Sequence, residues 1–141
     1  MALEKDREDR SYQFGRLLAI LEKMERDTYR GETGREPNAI RRMSVFCKRP
    51  YHTFVQLEQT LEQAYISQLK PGSRIWYKQM IGEIVEKLDE MGALSDDVKD
   101  RPLDDTYLLG YYLQRNELYK KRDEKDITEN NLKQDTRKWE H

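Results

Sequence analysis

The sequence predicts an all-α protein, a bundle of about five helices with a disordered C-terminal tail, and three observations carry that prediction. Apolar residues recur three and four positions apart over most of the chain, the spacing of one face of a helix. Glu, Lys, Leu, Gln and Arg are plentiful, and these are good helix formers. Four prolines, seven glycines and no clean period-2 alternation argue against strands. With 141 residues the chain is long enough for one domain with a core of its own. The expected division is a helical bundle over residues 11–121 and a flexible charged tail over 122–141.

Residues 1–10 alternate in charge and are expected to be frayed or an exposed first turn. From Ser11, read as an N-cap, Phe14, Leu17, Leu18, Leu21 and Met24 form a seam, with Glu22, Glu25 and Arg26 on the outer side. Two glycines and a proline make Gly31–Pro37 a loop. A short helix opens at Pro37 or Asn38 and runs through Cys47, with Ile40, Met43 and Cys47 inward, until Pro50 ends or bends it. Phe54, Leu57, Leu61, Ala64, Tyr65 and Gln68 or Leu69 then mark a longer helix up to Pro71-Gly72. The next spans about Ser73 to Met91, with Tyr77, Met80, Ile81, Ile84, Val85 and Leu88 inside and Gly92 as its stop. Ser95–Pro102 is a polar loop.

The last helix, Asp104–Lys120, is the most informative. Asp104 is a good N-cap, and Leu103 with Leu108 fits a hydrophobic staple. Leu108, Tyr111, Tyr112, Arg115, Leu118 and Tyr119 fall on one side. Gly110 interrupts them, at roughly 1 kcal/mol against alanine, so another backbone should approach there. Tyr12-x-x-Gly15 in the first helix resembles Tyr107-x-x-Gly110 in the last. Two such notches would let these helices cross closely, but for so short a match chance similarity is the better explanation. Beyond Lys121 only Ile127, Leu132 and Trp139 interrupt charges and amides, which reads as a tail disordered when free.

Cys47 is the single cysteine, so no internal disulfide forms, which agrees with a reducing cytoplasm. No apolar run reaches membrane-spanning length and the N-terminus lacks a signal peptide's apolar core, so a cytoplasmic protein is expected. One cysteine and one internal histidine, His52, are too few for a zinc site, and no metal or other cofactor is expected. Phosphate-binding glycine loops and nucleophile elbows are absent from the sequence. Cys47 near His52 is better read as a small core thiol than as a nucleophile, and the acidic pairs as solvated or helix-capping charges. No catalytic residue is expected.

The net charge of −1 hides a polarised chain, +5 over residues 35–78 against −6 over 79–119. Arg41, Arg42, Lys48 and Arg49 are spaced by seven, close to two helical turns, with Phe46 and Tyr51 among them. Lys70, Arg74 and Lys78 follow at intervals of four, although Pro71-Gly72 interrupts the first step. Rows of flexible cations suit a phosphate backbone and neighbouring aromatics suit base stacking. The same cations would equally be solvated, or pair with the acidic segment, and composition leaves both readings open.

Three ordered blocks carry a resemblance. Ser11-Tyr-Gln-Phe-Gly-Arg-Leu-Leu-Ala-Ile-Leu-Glu-Lys23 resembles the pattern YxxGRLxAxLEK that begins the C-terminal helical region of the type I-C CRISPR large subunit. Ile75-Trp-Tyr-Lys-Gln-Met-Ile-Gly-Glu-Ile-Val-Glu-Lys-Leu88 is similar to its next diagnostic helix. Leu109-Gly-Tyr-Tyr-Leu-Gln-Arg115 matches its terminal LGYYxQR signature. The resemblance covers about residues 11–119. In that family the same region is also made as a separate small subunit from an internal start, and the chain looks like that subunit.

The resemblance implies a structural role without catalysis, lining the inner face of the guide-RNA surveillance complex, Cascade. The implied partners are its large and backbone subunits, guide RNA, target DNA including the displaced strand, and a second copy of the chain. It assigns nothing to residues 120–141. Apart from Lys78, the cations of 41–78 lie outside the three blocks, so their nucleic-acid role rests on charge and spacing. The rival is a protein-interaction adaptor whose basic stretch docks on an acidic subunit.

Overall fold

A computed structural model describes residues 2–28 and 35–120. The expected tail at 122–141 and most of the expected loop at Gly31–Pro37 lie outside the described residues. Within them the protein is all-α, with α1 Arg10–Thr28, α2 Asn38–Arg41, α3 Met43–Lys48, α4 Pro50–Thr60, α5 Pro71–Glu90 and α6 over residues 106–120. Strands are absent among the described residues. The architecture is a set of helices around a central one. Every residue of α1 from Ser11 to Glu25 is buried.

Two neighbours fix the direction of packing. α5 lies antiparallel to α1, since the Tyr77 hydroxyl donates to Asp27 near one end and Lys87 approaches Glu8 at 3.7 Å near the other. α6 runs the same way as α1. The Asp104 amide donates to Ser11 Oγ (3.0 Å), Arg16 Nε donates to Gln114 Oε1 (2.9 Å), and Arg115 lies 3.6 Å from Glu22. The core is filled by Phe14, Leu17, Leu18, Ile20 and Leu21 of α1 with Phe46, Phe54, Leu57, Ile81, Ile84, Leu88, Tyr111 and Leu118.

α1 and α6 meet at the two glycines. A Cβ added to Gly15 would collide with the Tyr107 carbonyl and stand 2.9 Å from the Tyr111 nitrogen. One added to Gly110 would collide with the Tyr12 carbonyl and stand 3.0 Å from the Tyr12 Cα. Each glycine thus receives the backbone of the other helix's Tyr-x-x-Gly unit. The two motifs therefore meet in a reciprocal crossing, against the reading of the match as a coincidence without structural meaning.

Several boundaries moved for identifiable reasons. Asp9, not Ser11, caps α1, its Oδ1 accepting from the Tyr12 amide at 3.2 Å, which frees Ser11 to receive Asp104. The short helix breaks in two at Arg42, where φ −103° and ψ 14° leave the helical basin. Pro50 and Pro71 occupy first turns, where a missing N–H costs nothing, so α4 and α5 begin earlier than the apolar pattern. α4 stops at Thr60, and the chain reaches Gln68 through one π turn and one 3-10 turn. Asp104 caps α6 as expected, accepting from the Thr106 amide at 2.9 Å, and Gly92 stops α5 with φ +72°.

The N-terminal segment is held rather than frayed. Tyr12 Oη accepts from the Glu4 amide (3.0 Å), Gln13 donates to the Arg7 carbonyl (2.8 Å), and Arg7 lies over the Tyr12 ring at 4.7 Å. Such side-chain bonds to irregular backbone leave no periodic trace in a sequence.

Candidate nucleic-acid interface

Burial sorts the polar residues into two populations. The first lies around α1 and is consumed by the fold. Glu22 and Glu25, expected on an outer face, are each 2% exposed. A buried carboxylate must be paired, because desolvating it alone costs several kcal/mol. Glu22 accepts from Arg26 Nε (2.9 Å) and the Tyr111 hydroxyl, while Glu25 accepts from the Asn38 amide (2.7 Å) at the start of α2. Burial and the Glu22 carboxylate push the Tyr111 phenol well up. Arg16, 5% exposed, is held by neutral acceptors only, Gln114, Gln13 Oε1 (2.7 Å) and the Lys5 carbonyl (3.3 Å), and burial lowers its pKa. Arg10 donates to the carbonyls of Val98 (3.0 Å), Lys99 and Arg101, tying down the loop before α6.

The inner face of α6 is therefore rotated from the expected one. Gly110, Tyr111, Gln114 and Leu118 face α1, while Tyr112 is 55% exposed. Arg16 needs a buried acceptor, and Gln114 supplies it. A wheel that counts only apolar residues misses that requirement.

The second population contains the cations of the basic stretch. Arg41, Lys48 and Arg49 are exposed on α2, α3 and the bend after it, and none makes an ion pair among the described residues. Arg42 is half-buried and donates to Gln56 Oε1 at 2.6 Å. Lys70 is exposed and Arg74 half-buried at the start of α5. Lys78 is engaged, its Nζ 2.7 Å from Glu62. Crowding by burial and by that same Glu62 raises the pKa of Glu58 nearby.

Arg41, Arg42, Lys48 and Arg49 lie on two consecutive short helices, the break between them and the bend after them, so the seven-residue alignment read from the sequence does not hold across Arg42. Lys70 immediately precedes α5, which carries Arg74 and Lys78 and packs on α1 instead. Phe46 is unable to stack on bases: it is fully buried, edge-on to Phe14 with centroids 6.2 Å apart. Tyr51 is half-buried with Lys99 over its ring at 5.0 Å. Val45, 42% exposed, is the apolar residue that does lie among the cations.

Cys47 is half-buried, its Sγ 3.6 Å from the Leu103 carbonyl, and His52 is exposed with its amide donating to Asp100 Oδ1 at 2.8 Å. Among the described residues no cluster of His, Cys, Asp and Glu could hold a metal ion, and no helix is long and apolar enough to cross a membrane.

A helical domain with an inward-paired polar core and a cationic outer edge defines the class. Its family is given by comparison: residues 1–119 match the family of CRISPR-associated protein (Cas_Csd1). The chain belongs to that family, the family of the type I-C large subunit, and its context is a type I-C CRISPR Cascade complex. No curated protein matches the chain.

Proposed function

We propose that the chain is a non-catalytic small subunit of a type I-C Cascade complex, and that it lines the inner face and stabilises the R-loop through sequence-independent contacts with nucleic-acid backbone. One observation carries the proposal: Arg41, Lys48 and Arg49 are exposed and make no ion pair among the described residues, whereas the polar groups around α1 are paired inside the fold. Guanidinium and ammonium groups left free on short, solvent-facing helices meet phosphates by releasing counterions, which positions a backbone without reading bases. Arg42 supports the row with its stem and retains donors beyond the one given to Gln56. Of the second group, Lys70 and Arg74 are the better placed, because Glu62 already neutralises Lys78. The large and backbone subunits, guide RNA and both target strands are the partners this reading gives the chain, in the cytoplasm.

The test is charge reversal in the assembled complex. With Arg41, Arg42, Lys48 and Arg49 all changed to Glu and subunit occupancy verified, R-loop yield should fall about equally on unrelated targets. Normal occupancy with undiminished yield would remove the nucleic-acid role. Lost occupancy would favour an adaptor whose basic stretch docks on protein. Alanine at both Cys47 and His52 should leave interference intact, and its loss would argue for catalysis.

A further inference from the structure

Two cations of the candidate interface occupy positions where a helix cap belongs. Arg42 directly precedes α3 and Arg49 directly precedes α4. Ser, Thr, Asp and Asn are favoured there, because a short side-chain oxygen can accept a first-turn N–H. Neither arginine makes a capping bond, and neither does Pro37 before α2. The first turns of α2, α3 and α4 also carry no acidic residue. With four and six residues, α2 and α3 cannot hold themselves, since isolated helices below about 12–15 residues are marginal in water.

Carboxylates from distant elements do the capping. At the start of α2, Glu25 of α1 accepts from the Asn38 amide through Oε2 (2.7 Å) and from the Ala39 amide through Oε1 (3.4 Å). At the start of α4, Asp100 Oδ1 accepts from the amide of His52 (2.8 Å), the third residue of that helix, which an N-cap oxygen would ordinarily take. Both carboxylates are themselves anchored. Glu25 is buried on the central helix. Asp100 lies in the loop before α6, where Arg10 holds the Val98 and Lys99 carbonyls, Lys99 covers the Tyr51 ring, and the Leu103 amide donates to the Cys47 carbonyl at 2.8 Å. The two caps bracket residues 38–52, the stretch that carries Arg41, Arg42, Lys48 and Arg49.

We propose that Glu25 and Asp100 are positioning residues of the nucleic-acid interface. They fix both ends of the cationic stretch, so that Arg41, Lys48 and Arg49 are held outward before a phosphate backbone arrives. Capping from a distance leaves the N-cap position of α4 to an arginine that faces solvent. The same arrangement sets the Asp100 carboxylate against the first turn of α4, three residues along from Arg49, and its charge by itself opposes phosphate. Position and charge therefore predict opposite signs when Asp100 is removed: loss of binding if the carboxylate positions, gain if it only repels. The inference rests on the phosphate-binding reading above and names what sets the geometry of that site.

The test measures R-loop affinity against salt in guide-RNA-loaded complex of verified occupancy. Asp100→Ala and Glu25→Ala should each weaken R-loop formation about five- to eightfold at about 0.1 M salt, with the slope of log affinity against log salt shallower by about 0.7–0.9, the worth of one phosphate contact. Asp100→Asn keeps the acceptor and drops the charge, and should restore wild-type affinity and slope. In a chain already carrying Arg41→Gln, Lys48→Gln and Arg49→Gln, Asp100→Ala should add nothing, because the groups it positions are gone. Tighter R-loops in Asp100→Ala, failure of Asp100→Asn to rescue, undiminished affinity in the alanine variants, or a full additional loss in the triple glutamine chain would each overturn the proposal. Wild-type affinity and slope in the triple glutamine chain would instead remove the phosphate-binding reading, and this inference with it.

Discussion

The crossing of α1 and α6 and the cationic edge on α2 and α3 use polar chemistry in opposite ways. At the crossing, glycines bring two backbones together and every strongly polar side chain is spent inside the fold: Glu22 on Tyr111 and Arg26, Arg16 on Gln114. At the edge, Arg41, Lys48 and Arg49 reach solvent with no ion pair among the described residues. In this protein, composition says little about function until burial has separated charges that fold the chain from charges left for a partner.

The comparison is broken most severely at the glycines. Gly110→Leu, or Gly15→Ala, should cost about 3 kcal/mol or more, since the obstruction is backbone and has no flexible end to move. Thermal melts of the two single variants and the double should be non-additive, because both widen one crossing. A Tm unchanged by Gly110→Leu would mean the helices do not meet there.

Gln114→Leu comes next. It leaves the buried Arg16 Nε without its acceptor, which should cost about 2 kcal/mol in denaturant unfolding. Glu25→Ala removes the acceptor for the first amides of α2, and roughly 1 kcal/mol is expected.

Alkaline pH sharpens the same contrast. The Tyr111 phenol is raised above its unfolded value, so above about pH 10 the unfolded chain binds fewer protons at this site than the folded chain. Its contribution is therefore complete below pH 10 and is lost as pH rises toward the folded value. Tyr111→Phe should flatten that part of the alkaline stability profile, and an unchanged profile would place the phenol in solvent.

The smallest folding effect belongs to the edge. Arg41→Glu, Lys48→Glu and Arg49→Glu together should shift stability by no more than about 0.5 kcal/mol each. A large loss of cooperative unfolding would show that these cations hold the fold together.

How much was legible in the sequence follows from the same division. The close backbone neighbour of Gly110 was, because a mid-helix glycine asks for one; its pairing with Gly15 was not, because so short a repeat reads as chance. Asp104 and Gly92 were, because a cap and a left-handed stop are local. Glu22, Glu25 and Gln114 were not. Helical periodicity assumes one wet face, and α1 has neighbours all round it. The alignment of Arg41 with Lys48 and Arg42 with Arg49 misled for a related reason, since seven-residue spacing aligns side chains only along an unbroken helix and Arg42 breaks this one. The cations of the candidate interface were legible as a charge pattern, but not which of them the protein had already used, as Glu62 uses Lys78.

The central claim, that the free cations of α2 and α3 meet phosphates, is tested most directly by the salt dependence of R-loop formation in complexes of verified occupancy. Neutralising Arg41, Lys48 and Arg49 to Gln should make the slope of log affinity against log salt shallower by about 2–3, at 0.7–0.9 per phosphate contact. A parallel line displaced by the same amount at every salt concentration, or no displacement at all, would contradict it.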